Sequence, residues 1–135
     1  MIKVALLLAL FALPACQSMS DVKPGDGRKA TIAGKTYDQV WTAATTVADE
    51  HFEVRERDKA TGTIKAERTM SAFSKGAYIG IYIVPPTAAP THTVEVVRRK
   101  KSTYGDLGEQ DWEYKVLRDM YRQLGLPALD PTRDP

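Results

Sequence analysis

The sequence predicts an α+β fold: an antiparallel β-sheet of about four to five strands with two helices packed on one face. Three observations predict it. Apolar residues recur at three- and four-residue steps in two separate stretches, the mark of amphipathic helices. Between those stretches the pattern switches to alternation, with a turn that closes a hairpin. Proline clusters then separate two longer β-type runs.

In chain order, a short strand is expected over residues 29–33. A helix follows over 37–51, where Thr36 and Gln39 stand in capping-box spacing. Val40, Trp41, Ala44, Val47, Ala48 and Phe52 give it one apolar face, which Tyr37 extends. Residues 52–58 alternate, with Phe52 and Val54 inward and Glu53, Arg55 and Arg57 outward. Asp58 to Gly62 supplies the turn, and residues 63–68 return with Ile64 and Ala66 on one face. The most apolar strand is 77–84. Pro85, Pro86 and Pro90 interrupt the chain before a fourth long strand at 91–101. Val116, Leu117, Met120, Tyr121 and Leu124 form the inner face of a last helix over 110–124, with Trp112 near its start. Gly125 and Pro127 end it. The predicted order is β-α-β-β-β-β-α, a sequence of hairpin-connectable strands that places both helices on one side of the sheet.

The N-terminus carries different information. Met1-Ile2-Lys3 is basic, and Val4 to Leu13 is continuously apolar. That run has signal-peptide length and falls short of the roughly 20 apolar residues needed to span a bilayer. It ends in Leu13-Pro14-Ala15-Cys16, and Cys16 is the only cysteine among 135 residues. This string resembles the lipobox of bacterial lipoproteins, with Pro14 standing where the pattern usually has a small or β-branched residue. The resemblance implies cleavage between Ala15 and Cys16, a diacylglyceryl group on the Cys16 sulfur and an acyl group on the new amino terminus. Gln17 follows the cysteine in place of the Asp that favours inner-membrane retention, which implies the outer membrane, periplasmic face. Cleavage by the ordinary signal peptidase, leaving a free thiol, is the other reading; an odd exposed cysteine in an oxidising compartment disfavours it.

The expected organisation is a signal peptide over 1–15, a flexible tether over 16–28, one α+β domain over 29–126 and a polar tail over 127–135. The tether reading rests on its polar composition and on Pro24, Gly25 and Gly27. Such a segment spans ~20 Å on average and would let the domain stand clear of the headgroups. Tyr37-Asp-Gln-Val-Trp41, the hairpin sequence Ala60 to Ala66 and the Trp112-bearing helix look like small proteobacterial outer-membrane lipoproteins. The architecture is similar to the helix-grip-like domains of the BamC lipoproteins of the outer-membrane barrel assembly machinery. That resemblance implies a fold and a compartment. Its motifs are structural and identify no partner.

Composition narrows the function classes. The chain holds 19 basic and 17 acidic residues and loses Lys3 with the signal. That balance argues against nucleic-acid binding, which needs a concentrated basic surplus. The histidines, His51 and His92, come with no third ligand in metal-site spacing. No serine sits in a nucleophile-elbow context. No enzymatic activity, metal or cofactor is expected, apart from the covalent lipid on Cys16.

Candidate contact residues are the loop aromatic Phe73, the strand tyrosines Tyr78 and Tyr82, and the basic run Arg98, Arg99, Lys100 and Lys101. The run suits anionic headgroups or lipopolysaccharide phosphates. Alternation along a strand keeps its four side chains from all facing one way. The expected function is that of a lipid-anchored, non-enzymatic binding or scaffold module in the cell envelope, with an envelope protein as partner. A ligand-binding module for lipopolysaccharide, lipid or peptidoglycan is the alternative.

Overall fold

A computed structural model describes residues 18–69, 76–101 and 111–129. A single 3₁₀ turn (Met19–Asp21) precedes β1 (Arg28–Ala33), α1 (Tyr37–His51), β2 (Glu53–Asp58), β3 (Thr63–Arg68), β4 (Ala77–Val84), β5 (Thr91–Lys100) and α2 (Trp112–Gln123). The five strands form one antiparallel sheet in the order β1-β5-β4-β3-β2, and the fold is α+β as the sequence predicts.

Each helix begins where its sequence supplies a cap. The Thr36 hydroxyl accepts from the Gln39 amide at 3.1 Å, and the Gln39 side chain accepts from the Thr36 amide at 2.9 Å. The Asp111 carboxylate accepts from the Tyr114 amide at 3.0 Å. Gly62, at φ +69°, closes the β2–β3 turn, and its carbonyl accepts from the Ile83 amide at 2.9 Å.

The main core lies between the helices and one face of the sheet. Ile64, Ile79, Ile81, Ile83, Val94 and Val96 point into it and are fully buried against Val40, Val47, Leu117 and Met120 of the helices. Period-two alternation turns the intervening positions of β4 (Tyr78, Gly80, Tyr82 and Val84) to the opposite face.

Three expectations need correction. The tether over 16–28 is not one in its described part. Val22 is 1% exposed, and residues 22–27 lie as a strap across the sheet face away from the helices. The polar composition concealed a single well-placed apolar side chain. At the other end, Leu126 and Leu129 pack on the main core and the Tyr114 hydroxyl donates to the Leu129 carbonyl at 3.2 Å, so 127–129 belong to the domain. In β2 a bulge between Val54 and Glu56 inserts one residue, which brings Arg57 opposite Ile64 on the helix side. There it forms an ion pair with Asp49 of α1.

Candidate functional site

The sheet face opposite the helices gathers most of the described candidate residues. Strand partners directly opposite each other share a face, and the β4–β5 register pairs Tyr78 with Arg99 and Tyr82 with Glu95. Arg98 and Lys100, opposite Ile79 and Ala77, fall on the helix side, and Lys101 completes the sequence on the Arg99 side. The basic run is therefore divided between the two faces and forms no single cationic surface. Ala15, Cys16 and Phe73 lie outside the described residues.

The strap is held on this face by Val22, Gly25 and Asp26. Val22 seats over Gly80, where an added Cβ would stand 2.5 Å from the Val22 Cγ1 atom. Only glycine leaves room there, and Tyr82 and Val97 close the small core around Val22. The Tyr82 hydroxyl donates to the Val22 carbonyl at 2.8 Å. Further along, the Gly25 amide donates to Glu95 Oε1 at 2.7 Å, and Asp26 pairs with Arg99 at 3.4 Å. At Gly27 the strap runs so near β5 that a Cβ would meet the Val96 carbonyl oxygen at 2.4 Å. Glu95 is 5% exposed beneath this segment; its Oε2 makes no hydrogen bond among the described residues and lies 3.9 Å from Lys29 Nζ. An isolated glycine inside an apolar strand signals close backbone approach. Gly80 was the one sequence clue to the strap.

Burial, reinforced by the charges of Glu56 and Glu95, pushes the Tyr82 hydroxyl up to about 12 from the ordinary 10.0. A group whose folded pKa is raised contributes stability that is complete below its unfolded pKa and is lost as pH rises through the folded value. Tyr82 thus supports the fold fully below pH 10 and loses roughly 2–3 kcal/mol of that support by pH 12. Ionisation also removes the proton donated to Val22. In denaturant titrations, wild type should lose that much more stability than Tyr82→Phe between pH 9 and pH 12; parallel losses would refute the assignment.

Beyond the strap, toward β2 and β3, the same face carries paired charges of both signs. Glu67 accepts from Lys101 at 2.7 Å and from Arg55 Nε at 2.8 Å, and these bonds hold its carboxyl below the usual carboxylate range. Arg55 also reaches Glu53 at 3.1 Å, and Lys101 Nζ lies 5.0 Å from the centre of the Tyr78 ring. Two of the four residues of the basic run are thereby committed to partners on the domain's own surface: Arg99 to Asp26 and Lys101 to Glu67.

Both histidines have structural surroundings. His51 Nε2 lies 2.9 Å from Asp119, tying the end of α1 to α2. Burial would raise the Asp119 carboxyl, but hydrogen bonds from Arg118 and His51 prevail and hold it low. His92 is fully buried; its Nδ1 lies 3.0 Å from the Pro85 carbonyl and its ring packs near Tyr37. Among the described residues no three His, Cys, Asp or Glu side chains are placed to hold a metal, and no helix is long and apolar enough to cross a membrane. An open groove of about 440 Å³ runs beside Tyr37, between residues 34–38 and 88–90.

No family model matches the chain, and no curated protein matches it.

Proposed function

We propose that this chain is an outer-membrane lipoprotein, anchored at the periplasmic face by acyl chains on Cys16, whose domain is a non-enzymatic binding or scaffold module. The observation that carries this reading is the sequence Leu13-Pro14-Ala15-Cys16 behind a basic start and an apolar run of signal length. Two or more acyl chains give stable attachment where a single chain is marginal. Three side chains capable of acid–base chemistry are engaged in the fold, which favours the non-enzymatic part. His51 joins the helices, His92 is sealed in the core and Glu67 is held by two cations.

The test is metabolic labelling of Cys16→Ser. In a Gram-negative host fed a labelled fatty acid, the wild-type chain should take up label and fractionate with the outer membrane. Cys16→Ser should be unlabelled and leave the membrane fraction. A labelled Cys16→Ser protein, or an unlabelled wild type, would overturn the reading.

A further inference from the structure

We infer that the strap side of the sheet is a membrane-apposed surface, held against the lipid headgroups, with the helices turned away from the bilayer. The inference rests on the anchor reading above and adds an orientation that the reading does not contain.

The argument starts from chain length. A free segment of about 12 residues would reach ~40 Å and permit any orientation. The strap removes that freedom, because Val22 is buried at the middle of the sheet face and the 3₁₀ turn directly precedes it. Only Gln17 separates Cys16 from the first described residue, Ser18. Two residues of chain reach ~7 Å at most, and a 3₁₀ turn plus one residue adds ~10 Å. At most ~17 Å of chain therefore separates the proposed attachment point from Val22. The helix layer lies across the sheet from it, and each helix is ~10 Å thick. An anchor so short, leaving from one face, draws that face toward the bilayer.

The chemistry of the face suits this neighbour. Its uncovered part presents Lys29, Glu53 and Arg55 with about half of each side chain exposed, in both signs. A surface of mixed sign meets zwitterionic headgroups, which themselves carry an ammonium and a phosphate, without a net-charge penalty. Val84 is 61% exposed and is the large apolar side chain left in water among the described residues. The β4–β5 register puts it on this same face, two residues beyond Tyr82. Near the headgroup boundary its exposure becomes favourable burial.

The test uses the full chain, expressed in a Gram-negative host, purified from membranes and reconstituted in phosphatidylethanolamine–phosphatidylcholine vesicles. Mass spectrometry first reads acylation of Cys16. A thiol-reactive bimane is placed at Glu56→Cys, on the inferred membrane side, or at Thr42→Cys, on the exposed side of α1. Quenching by a nitroxide on the lipid headgroup should be several-fold stronger at position 56, and should be unchanged by added salt. Ten Gly/Ser residues inserted between Gln17 and Ser18 should abolish the difference. Acylated protein quenched equally at both positions, or more at 42, overturns the orientation while leaving the anchor intact. A difference that survives the insertion overturns the strap as its cause. An unacylated wild type overturns the anchor reading and the orientation with it.

Discussion

Replacing Trp112 by alanine should cost the domain about 3–5 kcal/mol, the range for removing a large aromatic from a packed core. Trp112 opens α2 and is 9% exposed. Its ring meets Phe52 edge-on at 5.2 Å between centroids and lies 5.4 Å from the His51 ring, so it packs on the junction where α1 passes into β2. The Arg68 guanidinium covers the ring at 4.3 Å, and the Lys115 ammonium stands at 4.9 Å. Each such cation contributes ~0.5–1 kcal/mol at an exposed site. The substitution therefore leaves a cavity and releases two cations together. A domain of ordinary stability holds only about 5–15 kcal/mol, so thermal unfolding should move down by at least ~12 °C. Trp112→Phe keeps most of the apolar contact and should lose less than half as much. A Trp112→Ala protein within 1 kcal/mol of wild type, on the scale of an ordinary surface change, would show that this ring does not close the core.

Gly80→Val should destabilise the domain by about 2–3 kcal/mol, against the direction that strand preference alone would give. Valine favours strands over glycine by up to ~1 kcal/mol, so the substitution would be stabilising if the face above Gly80 were open. It is not open: a Cβ at this position meets Val22 at 2.5 Å and the Tyr82 hydroxyl at 2.7 Å. Accommodating valine means pushing Val22 out, which forfeits ~1.5–3 kcal/mol of apolar burial and breaks the Tyr82–Val22 hydrogen bond. Amide exchange at Gly25, whose N–H is held by Glu95, should accelerate with it. In a Val22→Ala background the cost of Gly80→Val should shrink, because the two side chains compete for one space. An additive pair, or a Gly80→Val protein more stable than wild type, would mean the strap is not seated there.

The elements that pack on the main core were legible because their signals are local and repeated. The face of α1 recurs from Val40 to Val47, and β4 is apolar along its length, so small errors in any one position do not change the reading. The bulge in β2 was hidden for the opposite reason. It is a single inserted residue, and nothing in Glu-Val-Arg-Glu-Arg marks where the alternation slips. The strap was hidden by composition. Asp21, Lys23, Pro24, Gly25, Asp26 and Gly27 look like linker, and the apolar side chain that docks, Val22, has its partners about 60–75 positions later in the sequence. Tyr78 and Tyr82 were legible as contact candidates by residue type, but Tyr82 is covered by the domain's own N-terminal segment. The charges of the basic run were visible, and their division by strand alternation was anticipated. Their commitment to Asp26 and Glu67 was not, because ion pairs across a sheet depend on register, which composition does not carry.

The strap also imposes an order in time. Its seat is made of Gly80, Tyr82, Glu95 and Val97, so in a chain that emerges from its N-terminus the seat does not exist until β5 has joined the sheet. Contacts of such long separation form late, after the cost of closing the intervening loop has been met by other pairings. Residues 22–27 therefore cannot take their seat before β4 and β5 have paired. On the anchor reading proposed above, seating the strap converts a long leash into a short one.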